Sequence, residues 1–444
     1  MQLLQMRATA LRICLLGGLV LYVALYNWLY VNWLAPTFDY MGLSYHAPSW
    51  MMLDLGWVLA LLPGFWMPLR LTRPSQVPLW FIYLMLYIPS MFNPTYMALQ
   101  STAELIGLMS ALALGMMILS IGGFLPPIRL RFSLISPGLF WSVIAFATIA
   151  LDLWVIAIFH SRMHLVSFAD VYDLRSEADE VSLGTGVDYG LMTLSSVLDP
   201  LLMAYGLVSR RKWILLLGFL NQVMLYAAEG SKAVILSVVM IGGLYLIIGR
   251  SGRVFGLRIV ATVCVLLAAL SVLARRSELN IFFQFAMSIL FMRTFANGGY
   301  VTGAYSNFFH SHPLTYLSSV HGIDRFVHYP YDRPLGLVMG QYEMGISDLD
   351  LNGHFWVSDG VAAFGPGGIV FISILCAMVL WALDSSAAKH EPVLGALLMA
   401  FITVNLTNVS LFTTLLSGGL GLLILILLLM PSTRPGQQPS KDVL

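Results

Sequence analysis

Long apolar runs separated by short polar breaks recur along the whole chain. They lie near residues 13–34, 51–69, 78–92, 102–123, 138–160, 189–208, 213–229, 233–249, 257–274, 356–383, 392–410 and 412–430. A helix rises about 1.5 Å per residue and the hydrocarbon of a bilayer is about 30 Å thick, so runs of roughly this length read as membrane-crossing helices. The pattern predicts an all-α polytopic membrane protein with about 12 transmembrane helices, a single integral membrane domain over residues 1–444. The third run is short and holds Pro89, which predicts a tilted or broken span. The run after Arg7 and Arg12 exceeds the 7–15 apolar residues of a secretory signal, so it reads as a first membrane helix.

Lysine and arginine placement sets the expected orientation. With the N-terminus inside, inner segments hold 15 of the 23 basic residues, and short outer loops hold only Arg162, Arg175 and Lys232. Two larger outer loops are then expected, 161–188 and 275–355, with a disordered cytoplasmic tail at 431–444. The stretch 281–295 is apolar enough to lie on or dip into the membrane as an amphipathic, interfacial helix.

Composition agrees: 59% of residues are hydrophobic, 10% are charged, and the mean hydropathy is +0.83. Basic residues come in twos and threes between apolar segments, which gives no nucleic-acid partner. Cys14, Cys264 and Cys376 all sit in apolar runs, so no disulfide framework and no zinc spacing is present. No HExxH, G-x-S-x-G or phosphate-binding loop occurs, and neither a metal nor a cofactor is expected.

The candidate chemistry lies in the outer segments. A carrier concentrates polar residues in its spans near the midplane, whereas here the spans hold few, which favours an enzyme working at the outer leaflet. Arg175 sits among acids in "YDLRSEADE", and Arg293 sits in the apolar "LFMRTFANGG". An arginine in apolar surroundings needs a partner, and its fork matches a diphosphate. The structural alternatives are an i,i+4 ion pair of Arg175 with Asp179 and a snorkelling Arg293. Arg275 and Arg276 read as the end of a span. Arg325 and Arg333 bracket "RFVHYPYDR", where the aromatics suit either a sugar-stacking surface or loop folding. Glu229 and Lys232 in "AEGSKA" could pair across a tight turn.

The stretch "NGHFWVSDGVAAFGPGG", 352–368, places Asn352, His354 and Asp359 at the mouth of a span. If 352–366 is helical, Asn352 and Asp359 share a face with Phe355, Ala362 and Ala363, and the small residues leave space beside the carboxylate. His354 and Ser358 line the neighbouring stripe. The bland reading is a polar cap on a span.

This stretch, after a large outer loop in a multi-span chain, resembles the Wzy-type O-antigen and oligosaccharide repeat-unit polymerases of bacterial inner membranes. "FDYMG" (38–42), "VYDLRSEAD" (171–179) and "AEGSKAVIL" (228–236) are similar to that family too. Arg175 with Gly186, and Arg325 with Gly336, match its Arg-x10-Gly spacing; Arg293 departs from it, because position 304 is Ala. The resemblance implies a GT-C-type glycosyltransferase facing the periplasm. Donor and acceptor would be undecaprenyl-diphosphate-linked glycans, joined by inverting, metal-independent transfer. Membrane lipid and a chain-length regulator protein are the further partners it implies. The expected catalytic residues are His354, Asp359, Arg175 and Arg293, with His354 or Asp359 as general base. Arg276, Arg325, Arg333, Lys232, Glu229, Asn352 and Asp39 are the expected substrate-binding residues. Three rivals stay open: an O-antigen ligase with lipid A core as acceptor, a transporter of polysaccharide or lipid-linked glycan, and a GT-C enzyme whose base is Asp39.

Overall fold

The computed structural model describes residues 2–129, 135–161, 163–164, 185–249, 252–277, 281–320 and 322–432, with the backbone alone at 2–8, 185, 232–233 and 277. Among the described residues the secondary structure is helical throughout. Seven helices are long and apolar enough to cross a membrane: α1 (Thr9–Met41), α4 (Thr102–Gly122), α5 (Pro137–Phe159), α6 (Gly186–Val208), α9 (Phe255–Arg276), α13 (Pro366–Lys389) and α15 (Leu411–Leu429). Three shorter apolar helices are α2 (Trp50–Phe65), the Val234–Ile248 part of α8 (Lys232–Ile248), and α14 (Pro392–Asn408). The remaining elements are α3 (76–97), α7 (Lys212–Glu229), α10 (281–311), α11 (Leu335–Met344) and α12 (355–364).

The twelve expected stretches are therefore largely helical, and seven of them meet the length and hydropathy of a span. The physical reason α3 falls short is its position. It packs against α10 and α14, and its polar Ser90, Asn93 and Thr95 are buried. Ser90 Oγ meets Thr302 Oγ1 at 2.8 Å, and Asn93 Nδ2 donates to the Ala296 carbonyl at 2.9 Å. Helices that face only other helices can carry such groups, whereas helices facing lipid cannot. Expected span 356–383 is also interrupted: Gly365, at φ +65°, separates α12 from α13.

Helix ends are set by local chemistry. Ser101 and Glu104 form a reciprocal capping box at the start of α4, and the Ser49, Ser136 and Ser410 side chains cap α2, α5 and α15. At the opposite end of the bundle from Ser410, basic side chains satisfy orphan carbonyls. Arg12 donates to Gly64 and Met67, Arg73 to Gly123 and Leu125, and Lys389 to Leu428. This end carries the residues that charge bias assigns to the cytoplasm.

Five stretches wind as π-turns inside longer helices: Tyr30–Leu34, Ile82–Tyr87, Leu194–Leu198, Ser288–Ala296 and Trp356–Val361. The fourth lies mid-way along α10. There Phe291 packs on Tyr26 at 5.6 Å and Phe295 on Tyr22 at 6.4 Å, while Ile281, Phe282 and Phe285 stay exposed. The stretch expected as an interfacial helix is thus wedged into the bundle along one apolar face and leaves another apolar face exposed.

Candidate functional site

A cavity of about 760 Å³ opens at the end of the bundle opposite the basic carbonyl caps. Its walls come from residues 318–320 and 329–334, the start of α11, loop 350–353, the start of α12, and the turn that begins α15. Each wall has an identifiable anchor. Thr315 donates through its amide (2.7 Å) and its hydroxyl (3.1 Å) to the Ala362 carbonyl, tying the loop to α12. The Tyr331 hydroxyl donates to the Pro313 carbonyl at 2.6 Å, and Tyr305 on α10 donates to the Leu351 carbonyl at 3.0 Å. Leu351 N–H donates to Gly336 at the start of α11, at 2.9 Å. Gly336 lets the Asp350 side chain lie close against it: a Cβ there would fall 1.7 Å from Asp350 Oδ1 and push that carboxylate aside.

The lining divides by chemistry. Tyr305, Tyr329 and Tyr331 stand with Asp332, Arg333, Asp350, Asn352 and Asp359 on the polar side. Val409, Phe412 and Leu416 form an apolar side, where Leu416 is 67% exposed, and Tyr189 adds a half-exposed ring. Three described carboxylates therefore face one described cation, Arg333, whose Nε lies 3.8 Å from Asp332 Oδ1.

Asp359 forms part of the floor and is 1% exposed. Its Oδ1 accepts from Ser410 Oγ at 2.7 Å and its Oδ2 accepts from Leu411 N–H at 2.6 Å, so both oxygens cap the start of α15. Burial pushes its carboxyl up to about 6, and the two donors pull the other way. Asp350 is less enclosed: its Oδ2 accepts from Asn352 Nδ2 at 2.7 Å, and partial burial raises its pKa.

His354 lies behind the cavity wall. It is 2% exposed, its Nε2 sits 3.2 Å from the Gly298 carbonyl and 3.1 Å from Thr302 Oγ1, and its Nδ1 has no partner among the described residues. Burial holds the imidazole down to about 4, so the ring is neutral at pH 7.

The helical reading of 352–366 needs correction in detail. Helix α12 begins at Phe355, so Asn352 and Asp359 reach the same cavity from a loop and a π-turn, not from one helix face. Asp359 does line a cavity, but the buried Ala362 and Ala363 do not, and the Thr315 loop bonds to the Ala362 carbonyl.

Of the other expected residues, Arg333 lines the cavity, as do Tyr329 and Tyr331 from the aromatic stretch. Arg276, Arg293, Arg325 and Asp39 are exposed and do not line it; Arg293 lies on α10 beside the Phe291 and Phe295 contact face. Glu229 ends α7, where Gly230 at φ +64° closes the helix. Lys232 starts α8, with its side chain outside the described part. Arg175 and most of the 161–188 segment lie outside the described residues, as does most of the 431–444 tail. Sequence reasoning missed Asp350 and Ser410. The run "DLDLNG" held a signal for the first, since an acid two residues before Asn352 shares its strand-like side of the loop.

No protein-family model, no curated protein and no solved structure matches this chain.

Proposed function

We propose that the protein is a membrane glycosyltransferase that joins undecaprenyl-diphosphate-linked oligosaccharide repeat units at the periplasmic face of a bacterial inner membrane, in the manner of a Wzy-type polymerase with a GT-C-like fold. The observation that carries this reading is the two-sided cavity. Tyrosine rings and carboxylates on one wall suit sugar rings and their hydroxyls. The apolar wall of Val409, Phe412 and Leu416 suits a prenyl chain arriving from the bilayer. The cavity volume, about 760 Å³, accommodates a few sugar rings.

The leaving group already carries its diphosphate, so catalysis needs charge stabilisation and positioning more than bond activation. Arg333 is the cavity cation among the described residues; Arg175 and Arg293 are the proposed contacts to the two lipid diphosphates. Their guanidinium forks would hold a diphosphate without a metal.

A lipopolysaccharide gel of a strain lacking the protein tests the reading. Single-repeat lipopolysaccharide without long chains supports a polymerase. Bare core would instead assign a ligase, and an unchanged ladder would remove both.

A further inference from the structure

The expected general bases were His354 and Asp359, and the geometry argues against each. His354 is walled off from the cavity, with Nε2 turned to Gly298 and Thr302. Asp359 reaches the cavity, but both its oxygens are engaged at the start of α15, so neither is free to take a proton from a bound hydroxyl. Asp332 is 84% exposed and lies beside Arg333 at the rim.

Asp350 lines the cavity, is not buried, and has one oxygen held by a neighbouring amide. One oxygen, Oδ2, is fixed by Asn352 Nδ2 at 2.7 Å. The other, Oδ1, lies over the backbone of Gly336 and has no hydrogen bond among the described residues. The loop that carries it is clamped on both sides. Leu351 N–H bonds to Gly336, the Leu351 carbonyl accepts from Tyr305, and the Leu349 carbonyl sits against Gly340, where a Cβ would fall 1.9 Å away. A cavity-lining carboxylate held by one oxygen, with no donor on the other among the described residues, has the arrangement of a positioned proton acceptor.

Resting on the glycosyltransferase reading, we propose that Asp350 is the general base and that Asn352 is its positioning residue. Asp350 takes the proton of the acceptor hydroxyl as that oxygen bonds to the anomeric carbon of the donor. The bond from that carbon to the diphosphate oxygen breaks, and its electron pair leaves with undecaprenyl diphosphate. The proton passes from Asp350 to water in the cavity, so no oxidant, reductant or further reactant is needed.

The test is Asp350→Asn and Asp350→Glu in the full-length protein, assayed with purified lipid-linked repeat units and normalised to folded protein. Removal of a general base lowers the rate by roughly 10²- to 10⁴-fold, so Asp350→Asn is expected to fall in that range and Asp350→Glu to recover part of it. The wild-type rate should drop on acidification, and the residual rate of Asp350→Asn should lack that limb. The titratable groups that share the cavity with it, Asp332, Arg333, Asp359, Tyr189, Tyr305, Tyr329 and Tyr331, remain in both proteins. A rate within a few-fold of wild type for Asp350→Asn overturns the assignment. So does an acid limb that persists in that variant. These outcomes leave the glycosyltransferase reading standing if the strain lacking the protein still fails to make long chains. Normal chains in that strain would sink the reading itself.

Discussion

Asp359 offers a stability test independent of any activity. Its folded-state pKa of about 6 lies above the ordinary 3.8 of an aspartate because burial opposes the charge. The sign follows directly. The folded state holds the proton more tightly, so acidification favours folding, and this contribution is lost as pH rises from about 4 through 6. The full difference, about 2 pH units at about 1.4 kcal/mol each, is close to 3 kcal/mol, and about 2 kcal/mol of it lies between pH 7.5 and 4.5. Comparing wild type with Asp359→Asn cancels the other titrating groups. Asparagine keeps one acceptor for Ser410 or Leu411 and turns an N–H toward the other, a cost of about 1–3 kcal/mol, while it removes the buried charge. At pH 7.5 the two effects nearly offset, and at pH 4.5 the wild type should be ahead by about 2 kcal/mol more. For 444 residues, at about 2 cal/mol/K of unfolding entropy each, that is a shift of about 2 °C in Tm. Thermal unfolding in detergent across that pH range reads it. A Tm difference that does not change with pH, or that moves toward the variant on acidification, would refute the argument that burial outweighs the helix cap.

Topology is checked by alkaline phosphatase fusions, with activity expected after Gly322 and none after Arg211; the opposite pattern overturns the placement of the cavity. Arg175→Ala and Arg293→Ala should each leave little or no long-chain polymer, a loss of roughly 30- to 1,000-fold from about 2–4 kcal/mol, with the lysine variants recovering short chains; near-normal polymer at either position removes that arginine from the site. Gly368→Ala should cost about 3 kcal/mol, the upper end of the usual overpacking range, because a Cβ there would lie 2.1 Å from the Gly360 carbonyl, a backbone atom; a normal yield and Tm for that variant would mean the α12–α13 junction is looser than described. Transfer by the purified protein is expected to survive EDTA, and loss restored by magnesium would redirect attention to the acids of 170–180.

Hydropathy made most of the bundle legible, because helices α1, α4, α5, α9 and α13 all carry exposed apolar side chains over part of their circumference. It read the third stretch as short and, from Pro89, as tilted or broken; the helix instead runs unbroken through Pro89 over 76–97 and buries Ser90, Asn93 and Thr95 within the bundle. The stretch around Asn352 and Asp359 was legible as a place, since an amide and a carboxylate beside a span have few reasons to be there. Its geometry was not. The partner of Asp359 is Ser410, fifty-one residues away, and the anchor beside Asp350 is Gly336, contacts that no local pattern encodes. Tyr329, Tyr331 and Arg333 stood out as a possible sugar surface from their composition and do line the cavity, but Tyr305 joins them from α10, where its spacing resembles ordinary helix packing.

The π-turn at Trp356–Val361 makes the cavity floor sensitive to chain length in a way that substitutions do not probe. A π-turn holds one residue more than an α-turn over the same span. Removing a single residue between Trp356 and Val361 would let the segment close as ordinary α-helix, with each position turning by about 100° relative to α13. Trp356, which donates to Ser373 at 2.8 Å, and Asp359, which holds the start of α15, could not then both keep their partners. The chain at this point is tuned by count as much as by composition: a one-residue deletion there should be more damaging than most replacements of the same residues.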